Sequence, residues 1–163
     1  MFEYRRLSSD PVEIRLVEIQ EARYSNDPVH LRLYHVPLYS KNVYQALSYT
    51  WVSPGAHFSD EWDDSASTLT IWIDGEPFKV RRNLESALRH LRQVSWMSQT
   101  AWMHQTFWID AICIDQNFIP ERNDQIMRMR DIYSKSIGTV VWLGPATADM
   151  HLAVKKIWEL FEL

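Results

Sequence analysis

The sequence predicts an α/β domain with a central, mainly parallel sheet flanked by helices, plus an N-terminal antiparallel strand pair and a β-hairpin. Three observations predict it. From Phe107 onward the chain alternates strand-like and helix-like patterns, which is how α/β domains are built. The run FWIDAICI, Phe107 to Ile114, is apolar on both faces, as buried parallel strands are. Asp74-Gly75 lies between two short runs of β-formers and signals a hairpin.

Val12 to Ile19 alternates, with Val12, Ile14 and Leu16 on one face and Glu13 and Arg15 on the other. Period two argues for a half-buried strand. After the turn signal Asn26-Asp27-Pro28, Val29 to Val36 alternates again and Pro37 ends it. These two segments are expected to pair at the N-terminal edge. Tyr44 to Trp51 (YQALSYTW) is rich in β-formers and predicts a buried strand. Val52 to Ser67 is polar and predicts a long loop, a kind of segment that tends to be functional or disordered. Thr68 to Ile73 and Phe78 to Val80 flank the hairpin turn. Asn83 can cap a helix whose apolar face is Leu84, Ala87, Leu88 and Leu91. Gln93 to Thr106 is expected to be a linker. Pro120 suits a helix start, with Glu121 in the first turn and Ile126, Met129, Ile132 and Tyr133 at helical spacing. Thr139 to Leu143 predicts a short buried strand, and Leu152 to Phe161 a last helix. Trp72, Trp108, Trp142 and Trp158 are expected in the core.

The 163 residues suit one domain, and 46 % apolar residues suffice for a core. A net charge of -4 with basic residues only in pairs argues against a nucleic-acid footprint. No apolar run approaches membrane-span length, and the N-terminus has no signal-like segment. The single cysteine, Cys113, excludes an internal disulfide and fits a cytoplasmic protein. It sits among isoleucines without an adjacent base, as a structural thiol does. Only 4 glycines are present, so no Gly-rich phosphate loop can be built, and the 6 histidines show no ligand spacing. No metal and no resident cofactor are expected.

Ligands of α/β sheets sit beyond the carboxyl ends of the strands. That rule singles out Ser48 to Trp51, Asp110 to Gln116, and Gly144 onward. Asp110 and Asp115 are carboxylates in or at the end of an apolar run, costly unless paired or hydrogen-bonded. They are either structural anchors, with Arg122 and Arg128 as candidate partners, or ligand contacts. Glu121 and Gln125 share a helix face, together with Arg122 in the same turn. Glu121 either complements the helix dipole or lines a cleft. Ser48, Tyr49 and Trp51 either plug the core or stack a planar ligand.

Three blocks together resemble the heterokaryon-incompatibility (HET) family of fungi. YQALSYTW looks like its Y-x-A-L-S-Y-x-W-G opening, and FWIDAICIDQ resembles W-I-D-A-[IL]-C-I-[ND]-Q. ERNDQIMRMRDIY followed by VVWLG resembles E-R-x-x-Q-x-x-x-M-x-x-I-Y and V-x-V-W-L-G. The linking segment TIWIDGEPFKVRRNLESALRHLR is similar as well. The family glycine after the first tryptophan is Val52 here, and Ser136 stands for the usual alanine. The resemblance implies a single domain, with residues 1–40 as an N-terminal strand extension and 44–163 as the core. It also implies an N-terminal fragment of a longer protein or a short family member.

The family's distant kinship with TIR domains implies a TIR/flavodoxin-like fold. It further implies an allorecognition effector that triggers cell death, self-associates and meets a recognition partner protein. By analogy with TIR enzymes, NAD(P) is the implied substrate, cleaved at the nicotinamide–ribose bond. That reaction needs one carboxylate beside an oxocarbenium-like transition state and an aromatic shelf for the base. Glu121 is the first candidate for the carboxylate and Glu159 its rival. Tyr49 and Trp51 would be the shelf, with Ser48, Asp110, Asp115, Gln116, Arg122 and Gln125 as further contacts. The competing expectation is a non-enzymatic signalling module acting through homotypic association.

Overall fold

A computed structural model describes residues 2–51, 68–97 and 105–145, and the helical residues Leu152, Lys155, Lys156, Trp158 and Glu159. The predicted loop 52–67, including Val52, and most of the linker before Gln105 lie outside the described residues. The elements run β1 (Glu13–Ile19), β2 (His30–Pro37), β3 (Gln45–Tyr49), β4 (Thr68–Ile73), β5 (Glu76–Arg81), α1 (Arg82–Met97), β6 (Thr106–Trp108), α2 (Asp110–Cys113), α3 (Ile119–Lys135) and β7 (Gly138–Trp142).

The strands form one seven-stranded mixed sheet in the order β5-β4-β2-β1-β6-β3-β7. An α/β fold is therefore present, but the mainly parallel sheet expected from the alternation is not. The long ladders β1–β2 and β4–β5 are antiparallel, and β6 also meets β1 antiparallel. Parallel pairing is long only between β3 and β7, and brief between β3 and β6 and between β2 and β4. The physical reason lies in β1. The N-terminal pair is antiparallel as predicted, yet it does not sit at an edge: β1 is the central strand, between β2 and β6. Its residues Ile14, Arg15, Leu16, Val17 and Ile19 are buried on both faces, which only a central strand covered on both sides achieves.

The second departure is local. FWIDAICI is not one strand: β6 is three residues long and Asp110–Cys113 make a short helical turn. A short apolar run suits a buried strand and a buried helical turn alike. Here Cys113 N–H returns to the Ile109 carbonyl at 2.7 Å, so the chain folds back below β6.

The hairpin forms as predicted, with Asp74 (φ 50°) and Gly75 (φ 85°) both left-handed, as a tight two-residue turn requires. Pro120 lies in the first turn of α3, also as predicted. Trp108 and Trp142 lie on opposite sheet faces, because their β3 partners Ala46 and Tyr49 are an odd number of residues apart. Trp108 packs on Tyr133 of α3, whereas Trp142 meets Asn83 and His90 of α1. Helices thus flank the sheet on both sides. Trp158 and Leu152, expected inside, are exposed. Among the described residues, no helix is long and apolar enough to cross a membrane.

The sheet is strongly curled. β5 and β3 are five strand spacings apart in hydrogen-bond order, about 24 Å in a flat sheet at about 4.8 Å per strand. Yet Asn83, in the first turn of α1 just beyond β5, donates to the Thr50 carbonyl beyond β3 at 2.6 Å and accepts from the Trp142 indole at 2.9 Å. The free edge of the hairpin therefore curls back to the end of β3, and a seam opens where the two meet.

Candidate active site

A cavity of about 280 Å³ fills this seam. Tyr49 and Trp51 supply one wall, at the end of β3; Phe78 and Val80 of β5 supply the facing one. Tyr4 joins them from the N-terminal segment, held by its hydroxyl on the Ile112 carbonyl at 2.8 Å and by edge contacts with Phe2 and Phe78. Ala111 of α2 and Gln116 and Asn117 after it join the lining, as do Thr68, Lys79, Arg81 and Leu84. Two of the sequence blocks, SYTW and WIDAICIDQ, thus meet at one cavity.

Asp110 stands directly behind this lining. Its Oδ2 accepts from the Trp51 indole at 3.0 Å and its Oδ1 from the Ala111 N–H at 2.7 Å. Gln116 is fixed to the same residue through its side-chain amide on the Asp110 carbonyl at 2.9 Å. Burial pushes the Asp110 carboxyl above the usual carboxylate range, against the pull of the Trp51, Ala111 and Tyr49 donors. The Tyr49 phenol lies beside it: burial, then the Asp110 charge, push its pKa well up. Arg122 and Arg128, expected as partners for the buried acids, go elsewhere. Arg128 pairs with Asp124 on its own helix, and Arg122 reaches the Gln116 carbonyl at 3.5 Å.

Glu121 has a different setting. It is buried and faces Arg15 of β1, itself wholly buried, in a two-pronged pair at 2.6 and 3.0 Å. Its Oε1 also accepts the Asp115 N–H at 2.8 Å. Arg15 further donates to the Cys113 carbonyl at 3.0 Å and the Arg5 carbonyl at 2.7 Å, and its guanidinium lies 4.7 Å from the Tyr4 ring centre. Burial alone would raise the Glu121 pKa, but the Arg15 and Asp115 hydrogen bonds and the Arg15 and Arg6 charges outweigh it and hold it low. This carboxylate is committed to joining β1, the α2–α3 turn and α3, and it does not line the cavity. Gln125 is buried one helical turn on, its amide 3.5 Å from the Glu13 carbonyl. Asp115 caps the Asn117 N–H at 3.2 Å and lies 3.5 Å from Arg6.

Ser48 points to the sheet face opposite Tyr49, as successive strand residues do. Glu159 is exposed and pairs with Lys156 at 3.2 Å. Cys113 is fully buried and its thiol pKa is pushed up to about 12, chiefly by burial. Sequence reasoning missed Tyr4, Phe78, Lys79, Arg81 and Asn117 as lining residues, because the seam joins segments far apart in the chain. It missed Arg15 too, although an arginine amid EIRLVEI signals a buried cation in search of a carboxylate.

The heterokaryon incompatibility (HET) family model matches residues 44–162. The chain is also 32 % identical, over 98 % of its length, to heterokaryon incompatibility protein 6, OR allele, of Neurospora crassa. The chain belongs to the heterokaryon incompatibility family. It spans 23 % of the length of that relative, and no solved structure matches it. The family match begins at Tyr44, so the central strand β1 of this HET domain lies before it. The cavity, too, takes Tyr4 from outside the matched region.

Proposed function

We propose that this HET domain is the effector unit of a fungal incompatibility response and acts by cleaving the nicotinamide–ribose bond of NAD(P) in the seam cavity. The observation that carries this reading is the Trp51–Asp110–Tyr49 group: an aromatic wall backed by a half-buried carboxylate. The pyridinium ring would stack on Tyr49 and Trp51, leaving the ribose C1′ in the field of Asp110. As the C1′–N bond breaks, the electron pair leaves with neutral nicotinamide and positive charge develops on the ribose. The Asp110 carboxylate stabilises that charge electrostatically through a medium of low dielectric. Water adds at C1′ and gives up its proton to solvent, yielding ADP-ribose and nicotinamide.

The reading assigns the supporting charge to Asp110, leaving Glu121 as the positioning group that ties Arg15 to the α2–α3 turn carrying Gln116 and Asn117. Cell death would follow from loss of the dinucleotide, with self-association setting when the domain is active.

The test is nicotinamide release from NAD by the 163-residue chain, free and as an enforced oligomer. Asp110→Asn should lower the rate by about 100-fold or more, the usual effect of losing one preorganised electrostatic contact. Glu159→Ala should leave it unchanged. A rate insensitive to Asp110→Asn, or lost with Glu159→Ala, would move the chemistry away from the seam. No release from any oligomer would leave non-enzymatic signalling through homotypic contacts as the reading.

A further inference from the structure

The segment ahead of β1 supplies Tyr4 to the seam, and its other end carries a serine that the seam chemistry does not use. Residues 2–8 form no helix and no strand. Within them Phe2, Tyr4 and Leu7 are half-buried, while Glu3, Arg5, Arg6 and Ser8 are exposed. The sequence there reads Arg5-Arg6-Leu7-Ser8. Of all the serines and threonines in the chain, Ser8 alone has arginines both three and two residues before it.

An exposed hydroxyl behind two arginines, in a segment outside helices and ladders, suits a serine kinase that reads basic residues. Such an enzyme pairs guanidinium groups of its substrate with carboxylates of its own, and charge patterns of this kind set kinase specificity. Arg6 can be released to it at small cost. Its guanidinium rests 3.5 Å from the Phe118 ring centre and 3.5 Å from Asp115, and its side chain is 61 % exposed, so both are weak surface contacts.

Ser8 also sits in a clasp. Its N–H donates to Glu13 Oε2 at 3.0 Å, and its hydroxyl donates to the Asp10 carbonyl at 2.9 Å and accepts from the Asp10 N–H at 3.2 Å. The same Glu13 oxygen lies 3.1 Å from His35 Nδ1 of β2, whose ring is nearly covered. A charge placed on Ser8 is thus one carboxylate away from a covered imidazole. Burial holds the His35 pKa below its ordinary value, with the Arg15 and Arg5 charges acting the same way and Glu13 against them.

We propose that Ser8 is a phosphorylation site for a basic-directed serine kinase, and that its phosphate acts on His35 through Glu13. Ser8 Oγ attacks the γ-phosphorus of ATP, the bond from that phosphorus to the bridging oxygen breaks, and ADP leaves with the electron pair. The hydroxyl proton passes to the carboxylate base of the kinase. The phosphate carries a charge of about −1.5 to −2 at neutral pH. The ester oxygen has no proton left for the Asp10 carbonyl, and the new charge stands against the Glu13 carboxylate. The imidazolium form of His35 relieves that repulsion, so the His35 pKa rises. Arg5, whose charge already reaches Glu13 and His35, moderates the effect without changing its sign. Neither the site nor its effect depends on cleavage of NAD(P).

The 163-residue chain is incubated with magnesium ATP and the catalytic subunit of cyclic-AMP-dependent protein kinase, and phosphate is mapped by tandem mass spectrometry. A single phosphate on Ser8 is expected. Ser8→Ala should remove it and Ser9→Ala should leave it, while Arg5→Ala should slow its incorporation about tenfold or more. In the modified chain the His35 ring, followed by NMR, should titrate about half a pH unit higher or more. Ser8→Glu, with its single charge, should move the ring the same way by less. Phosphate on another residue, a rate insensitive to Arg5→Ala, or incorporation only after the chain has been heat-unfolded would overturn the site. An unmoved or falling His35 pKa would overturn the link through Glu13.

Discussion

Asp110 and Glu121 are both carboxylates near the start of a helix, and the fold gives them opposite settings. Glu121 meets a buried arginine and a backbone N–H, and its pKa falls below the ordinary 4.5 despite burial. Asp110 meets only neutral donors, so burial wins and its pKa rises above 3.8. A lowered folded-state pKa stabilises the fold above the unfolded value, and that stability is lost as pH falls through the folded one. Wild type should therefore lose stability below about pH 4.5, in a step that Glu121→Gln lacks. At pH 7 Glu121→Gln leaves the Arg15 charge buried and unpaired, at a cost of about 3–5 kcal/mol. Asp110→Asn should cost no more than about 1 kcal/mol, since the ionised carboxyl is itself disfavoured there. Urea titrations across pH check all three. A small loss for Glu121→Gln, or a large one for Asp110→Asn, would exchange their roles. The pairing itself was not legible locally: Glu121 stands in the matching block, but its partner Arg15 lies 106 residues earlier.

At the level of elements, the hairpin, β3 and α3 were legible because each carries its own local signal: Asp-Gly, a run of β-formers, and a proline before helical spacing. The apolar run from Phe107 was not, because burial on all sides erases the period that separates a strand from a turn of helix. Sheet order was not legible either. Pattern tells which segments pair with something, but not that the first strand inserts between β2 and β6 and makes the sheet mixed. The consequence is that β1 is part of the core. Without β1, the sheet loses Ile14, Leu16, Val17 and Ile19, each at most 2 % exposed, and α3 loses the partner of Glu121. A chain starting at Tyr44 should show no cooperative thermal transition and no dispersed amide spectrum, while the 163-residue chain shows both. A truncated chain that melts cooperatively would mean that β1 is dispensable.

At the scale of the whole molecule, the curl of the sheet decides where chemistry can happen. It brings the hairpin, which sequence order separates from the WID block, onto the end of β3, and Asn83 holds the seam by bonding to Thr50 and Trp142. Two of the three recognisable blocks line or back this cavity, and the third supports it through Glu121. The tryptophans make the claim measurable, because their indole N–H groups sit at distinct places: Trp51 at the cavity, Trp108 in the core, Trp142 on the far side of Asn83. The most direct test is a titration of the indole N–H resonances with nicotinamide mononucleotide, assigned by single Trp→Phe substitutions. The Trp51 resonance should move progressively and saturate as its Asp110 bond is perturbed, while those of Trp108 and Trp142 stay in place. A Trp51 signal that never moves, or a response confined to Trp142, would contradict the seam as the working site.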